Sequence, residues 1–484
     1  MLRRLEALRF GVVASRAGWA TLTQAGKLAI QFGGIAIMTR LLPISDFGLL
    51  AMAALFTVFA SLIQDMGTSA ALIQRKEVTQ ELISTVFWLN VFVGFGLCLA
   101  LVAISPLAAF VFAEDRLKDV LMALALVFPL SSIGTVPMAL LQRSGRLRRV
   151  GVIELASAAA GLAVGVVAAN NGFGVYSLVV QQAVGSVLQT GLLWLSIDRY
   201  PWLRWSSVEI RRIWAFTGHL VAFNTVNYFA RNADNMLIGR FLGAADLALY
   251  SMAYRFVSAP TQFLGSISNR VLLPIYSQKQ DRPAEIGHHF IKALSLISLA
   301  CGPGMGLLWG LRRPVVAVLL GQNWLPVADV LSWLAPVGYI QAIATNVGFV
   351  MIALGRTRLL RNLGLINTAV YLIVFFASVR FGIVGVAAGY FGANVLIAAT
   401  TLHVTLKLVD QNLMSLLRAI WKPGLFSASI AVVVWIPTRF DWLESMSPLL
   451  LLLILAPIGM ALYIGLVAVF ARDLVRSIRQ ASRT

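Results

Sequence analysis

Charge is scarce in this chain, and acid is scarcer than base. Only 12% of the 484 residues are Asp, Glu, Lys or Arg, and 20 carboxylates face 39 basic side chains. A soluble domain normally carries about a quarter of its residues as charges, so an ordinary water-soluble fold is excluded. The two cysteines, Cys98 and Cys301, offer neither a disulfide framework nor a metal-ligand spacing. The four histidines, at 219, 288, 289 and 403, are scattered, with no His/Glu metal motif, and no nucleophile elbow is present. The one Gly-Lys pair, Gly26-Lys27, is followed by leucine inside an apolar run, so it is no phosphate-binding loop. No cofactor and no nucleotide motor is expected. Any transport would draw on an H+ or Na+ gradient, or on the membrane potential.

What the chain has in excess is apolar side chain, 59% of the total. Runs of roughly 18 to 25 apolar residues, each able to cross about 30 Å of hydrocarbon as a helix, recur along its length. They fall at about 17–39, 46–66, 84–105, 119–141, 150–170, 172–196, 214–239, 245–268, 288–310, 326–353, 361–379, 382–405, 422–438 and 447–471. The expected fold is an all-α integral membrane protein with about 14 transmembrane helices. The alternating segments of about ten residues that mark a membrane barrel are absent. The basic start "MLRRLEALRFGVVASRAGWA" reads as a cytoplasmic amphipathic lead-in rather than a cleaved signal, because arginines 9 and 16 interrupt its apolar part.

The basic residues then sort by side. With the N-terminus inside, 27 of the 39 fall in cytoplasmic segments, among them the run "RSGRLRR" at 143–149, and eight fall outside. That asymmetry is a topology signal, so the net charge of +19 calls for no nucleic-acid partner. An even number of spans puts both termini in the cytoplasm.

An internal duplication is visible. "RLLPISDFGLLAMAALF" (40–56) and "RFLGAADLALYSMAYRF" (240–256) align without a gap, matching Arg40 with Arg240, Asp46 with Asp246, Met52 with Met252 and Phe56 with Phe256. The match continues at Pro106 and Pro314, Pro129 and Pro336, Gly145-Arg146 and Gly355-Arg356, and Phe173-Gly174 and Phe381-Gly382. Spans 1–6 (residues 1–200) and 7–12 (201–410) thus read as two homologous six-helix bundles, with two C-terminal helices in 411–484. Parallel repeats of this kind are expected to rock about a central cavity. Breaks at Pro129, Pro137, Pro260, "CGPGMG" (301–306) and Pro336 are positions where helices can bend.

Spans 1 and 7 carry matching polar stripes. Gln24, Lys27 and Gln31 stand 200 positions before Asn224, Asn227 and Arg231, and each set lies on one helical face. Arg255 is a further mid-span cation. A charge at that depth costs about 2.5–3.5 kcal/mol on insertion scales, so these groups are expected to line a water-filled cavity. The competing reading is that they are structural glue, with Arg231 pairing with Asp234 and Lys27 with a carboxylate that sequence cannot identify. A basic cavity suits phosphate or diphosphate, and the amides suit sugars. In-span carboxylates are few: Asp65, Glu154 and Asp234 are the candidates for ion coupling.

Four stretches carry a family resemblance: "LLPISDFGLLAM", "DMGTSAALIQRKEVTQELISTVFWLN", "RNADNMLIGRFLGAADLALYSMAYR" and "NRVLLPIYSQKQ". With the duplicated six-span unit, they resemble the polysaccharide-repeat-unit flippases (Wzx-type, exopolysaccharide and colanic-acid exporter branch) of the multidrug/oligosaccharidyl-lipid/polysaccharide exporter superfamily. The resemblance covers the first twelve spans. It implies a bacterial inner-membrane protein that moves undecaprenyl-diphosphate-linked oligosaccharide between leaflets, with a V-shaped, two-lobed fold and a cationic cavity. Lys27, Arg231 and Arg255 would then neutralise the diphosphate while the prenyl tail stays in lipid. Its partners would be the lipid-linked glycan and polysaccharide polymerase or export machinery; a monomer is expected.

Two other functions compete. A multidrug antiporter of the same superfamily should carry carboxylates where this chain has Lys27 and Asn227. A membrane polymerase or glycosyltransferase should carry a large outer loop or an acidic catalytic pair, and the outer loops here are short.

Overall fold

The computed structural model describes residues 2–64, 72, 73, 75, 77–207, 225, 228, 229, 231–440 and 446–470. Among these residues there is no β-strand. Among the described residues, nine helical stretches are long and apolar enough to cross a membrane, so the chain is a multi-pass, helical membrane protein. Packing divides it into two compact units, residues 1–248 and 249–484.

The first unit contains α1 (Leu2–Leu41), α2 (Ile44–Gln64), α3 (Gln80–Phe112), α4 (Arg116–Ala125), α5 (Val127–Arg143), α6 (Leu147–Asn170), α7 (Tyr176–Trp194) and α8 (Ala233–Phe241). The unit boundary falls within α9 (Ala244–Ser277). The second unit continues through α10 (Pro283–Gly310), α11 (Arg312–Leu319), α12 (Pro326–Ala344), α13 (Asn346–Ala353), α14 (Thr357–Ser378), α15 (Gly382–Leu408), α16 (Leu413–Trp435) and α17 (Pro448–Phe470).

Local chemistry sets many of the ends. Thr79 caps α3 by accepting the Leu82 N–H at 3.2 Å. The helix broken between α4 and α5 sits just before Pro129, which has no N–H to continue it. Asp46 and Asp246, matched by the repeat, both fall in the first turn of their helices, where a carboxylate meets the positive end of the helix dipole. Asp46 is also buried, and Arg116 donates to its Oδ1 at 2.8 Å.

Matched positions also end their helices alike. Gly145 (φ 71°) and Gly355 (φ 68°) are left-handed, and in each case the following arginine N–H donates five residues back, to Leu141 and to Met351. This is the glycine-terminated helix end that leaves few other residues comfortable. After Gly174 and Gly382, also left-handed, a helix turns back on its predecessor. α6 and α7 pack antiparallel, with Gly161 and Gly165 against Gln181. α14 and α15 do the same, with Gly389 against Val374 and Ser378. The apolar stretch of 52 residues from Thr357 to Leu408 is therefore a hairpin of two helices.

Close approach of backbones holds the helices together, as expected where lipid supplies no hydrophobic drive between them. A Cβ at Gly48 would lie 1.8 Å from Ala244 O, so α2 and the first residue of α9 touch there. On α10, Gly302, Gly306 and Gly310 form a flat strip. A Cβ at Gly306 would meet Ser427 O at 2.6 Å, and one at Gly310 would meet Ala431 O at 2.6 Å. The glycines expected from sequence to let α10 bend thus seat α16 against it, and Tyr463 of α17 donates to Leu299 O at 2.7 Å. The two C-terminal helices are docked on α10 by these contacts.

Candidate functional site

The stripe of the first span lies on α1, which runs beside α6 in the same direction. Trp19 stacks under the Arg148 guanidinium (4.9 Å), Thr23 faces Gly151, Gly26 faces Leu155, and Gly34 faces Leu162. This register brings Lys27 Nζ to 2.8 Å from Glu154 Oε2. Lys27 lies eight residues beyond Trp19, about 12 Å along the axis, so the ion pair is well inside the helix pair. Its side chains are 39% and 18% exposed. Glu154 is thus the carboxylate that the sequence alone left unidentified. Gln24 and Gln31, a turn on either side of Lys27, are exposed.

Of the second stripe, Asn224 and Asn227 lie outside the described residues, as does Asp65. Tyr228 is buried, and its hydroxyl donates to Leu55 O at 2.8 Å, pinning this segment to α2. Phe59 packs on both Tyr228 and Phe229, with ring centroids 5.6 and 5.0 Å away. Arg231 is exposed, and no ion pair joins it to another described residue. The helix is interrupted just after it, at Asn232, whose side-chain amide donates to Tyr228 O at 2.8 Å. Asp234, 4% exposed, opens α8 and accepts the Asn235 N–H at 2.8 Å. No ion pair joins it to Arg231.

Within the second unit, Arg255 is exposed on α9. Its neighbour Tyr254 packs on Tyr390 at 6.3 Å. Tyr390 belongs to a polar network that sequence reading missed. Gln341 Nε2 donates to Tyr390 OH at 2.6 Å and to Asn394 Oδ1 at 3.1 Å. Tyr371 OH donates to the same Oδ1 at 3.1 Å, and its ring stacks on Phe375. Phenols and amides from α12, α14 and α15 meet among apolar helices, where a hydrogen bond is electrostatically stronger than in water. The one local signal was Tyr390 and Asn394 at i, i+4 on a single helix face.

The structure thus joins Lys27 with Glu154 and leaves Gln24, Gln31, Arg231 and Arg255 exposed. Among the described residues, no cluster of three or more His, Cys, Asp or Glu side chains could hold a metal.

Stacked apolar helices with polar and charged side chains among them define a multi-pass membrane protein. The fold is similar to that of the solved structure titled "Lipid II flippase MurJ, inward closed conformation" (TM-score 0.73, 15% identity, covering 94% of this chain and 100% of that one). The chain belongs to the polysaccharide biosynthesis protein family, whose model matches residues 37–329. It is 27% identical over 432 residues to the teichuronic acid biosynthesis protein TuaB of Bacillus subtilis, covering 87% of this chain and 88% of that one. It is 24% identical over 424 residues to the lipopolysaccharide biosynthesis protein WzxC of Escherichia coli, covering 87% and 86%.

Proposed function

We propose that the protein is a flippase that moves undecaprenyl-diphosphate-linked oligosaccharide repeat units across the bacterial inner membrane for surface polysaccharide synthesis. Membership of the polysaccharide biosynthesis family and the flippase-like fold support this reading. The observation that carries the choice of substrate charge is the state of the in-span ionisable groups. Arg231 and Arg255 are exposed, whereas Glu154 is held by Lys27 and Asp234 by a helix start. A carrier of cationic drugs needs the opposite arrangement, with an accessible carboxylate and engaged cations.

In this scheme the protein works by alternating access around a cationic cavity, as a transporter and not an enzyme. Arg231 and Arg255 neutralise the diphosphate with charge-assisted hydrogen bonds. Gln24, Gln31, Asn224 and Asn227 bond glycan hydroxyls, and Lys27 contributes a charge already shared with Glu154. The chain crosses the membrane fourteen times with both termini cytoplasmic. Its lobes are the two repeats, residues 1–200 and 201–410, followed by 411–484. It acts as a monomer alongside polymerase and export machinery, with no cofactor. Coupling is to H+, Na+ or the membrane potential, with Asp65, Asp234 and Glu154 as candidate carboxylates.

The test is complementation of a deletion strain by Arg231→Gln and Arg255→Gln variants, with membrane abundance measured alongside. Both are expected to reach the membrane at normal levels and to lose most polysaccharide export. Normal export by both at equal abundance would overturn the cationic-cavity mechanism.

A further inference from the structure

The segment after α7, "IDRYPWLRWS" (197–206), is neither helix nor free loop. Trp202 N–H donates to Ser84 Oγ at 2.8 Å, Ser206 N–H donates to Thr85 Oγ1 at 3.1 Å, and Trp88 Nε1 donates to Trp202 O at 3.0 Å. Gln80 Nε2 also donates to Tyr200 O. Trp205 packs edge-on against Phe92 at 5.8 Å, and Tyr200 stacks on Trp194 at 5.9 Å. The backbone is therefore fixed along the start of α3. Yet its large side chains point away: Tyr200, Trp202 and Trp205 are about half exposed, and Leu203 is 87% exposed. Rigid backbone carrying outward tryptophan and tyrosine is the make-up of a membrane-interface belt, where a ring with one polar edge sits at headgroup level.

Beside this belt lies a cavity of about 410 Å³. Its lining includes Arg143, Arg146 and Arg199 against a single carboxylate, Asp198. Arg146 donates to Asp198 at 2.6 Å, and Arg143 Nη1 donates to the carbonyls of Leu72, Ile73 and Arg75. Those bonds hold two guanidinium groups in place while leaving the cavity net positive, and Arg199 is exposed. The end of α5, the start of α6, the start of α3 and the end of α7 all converge at this end of the first unit. Arg148 and Arg149 are exposed there too. Fixed guanidinium groups at headgroup depth suit a phosphodiester, which the planar fork can bind through two oxygens.

We propose that this end of the first unit docks an anionic phospholipid of the surrounding bilayer. Its headgroup phosphate occupies the cavity of Arg143, Arg146 and Arg199, and Tyr200, Trp202, Leu203 and Trp205 lie in the adjoining headgroup layer. The site is independent of the transported substrate, and its test does not read transport.

The experiment places a bimane label at Leu203→Cys, in full-length protein carrying Cys98→Ala and Cys301→Ala. The protein is reconstituted in phosphatidylcholine bilayers containing either brominated phosphatidylglycerol or brominated phosphatidylcholine at equal fraction. Brominated phosphatidylglycerol is expected to quench several-fold more. Arg199→Gln should reduce that preference about five-fold, the usual effect of one basic residue near an anionic surface. Arg204→Gln, on the belt beside Trp202, should reduce it less. Three results would overturn the proposal: no quenching by either lipid, equal quenching unaffected by Arg199→Gln, or loss of the preference in millimolar inorganic pyrophosphate. The last would assign the cavity to a soluble phosphate.

Discussion

Lys27 and Glu154 are two charges that the fold makes dependent on each other. Removing either strands its partner inside the helix pair. A lone charge at mid-membrane costs about 2.5–3.5 kcal/mol, and partial exposure reduces that to about 1–2 kcal/mol here. Lys27→Met and Glu154→Gln should each lower the melting temperature in detergent and reduce export. The double variant Lys27→Met/Glu154→Leu should recover much of the lost stability, since replacing a whole ion pair by apolar groups is often neutral. Additive losses in the double variant would show that the two side chains act separately. The pairing was not legible in sequence because the partners stand 127 positions apart and meet only through the α1–α6 register. Arg231 and Asp234 show the converse. Their spacing suggested a pair, but the helix is interrupted between them at Asn232 and no ion pair joins them.

At the scale of helices, small residues decide which surfaces can touch. Gly306→Val would drive a branched side chain into Ser427 O on α16. The expected loss is about 1–3 kcal/mol, the usual cost of overpacking, read as a lower melting temperature and loss of the C-terminal helices' protection from proteolysis. Unchanged stability would mean that α16 is not seated on the glycine strip. The matched helix ends allow a second test. Nothing lies within 4 Å of a Cβ at Gly355, so Gly355→Ala should cost only the left-handed strain, about 1 kcal/mol. A several-fold larger loss would point to a contact that the fold does not show.

Much of this level was readable in advance, because apolar run length is a local property. Apolar runs at 326–353 and 447–471 correspond closely to Pro326–Ala353 and Pro448–Phe470. Where helices outrun their apolar stretch, sequence underestimated them. α3 reaches from Gln80 to Phe112, past the expected 84–105, because Thr79 caps it early and nothing stops it at Pro106. The network of Gln341, Tyr371, Tyr390 and Asn394 was missed for a different reason. Each is a single polar residue in an apolar helix, and only tertiary packing brings the three helices together.

For the whole molecule, the distribution of charge carries the functional reading. Arg231 and Arg255 are exposed, while Lys27 is paired with Glu154 and Asp234 accepts a backbone N–H, the arrangement from which an anionic cargo is proposed. A flippase of this kind adds no bond and breaks none, so its loss should strand an intact intermediate rather than an unfinished one. The most direct measurement is the leaflet distribution of lipid-linked repeat units after depletion of the protein from its bacterium. The account predicts that complete, unpolymerised units build up in the cytoplasmic leaflet as surface polysaccharide falls. Undiminished surface polysaccharide, with repeat units still reaching the outer leaflet, would contradict it.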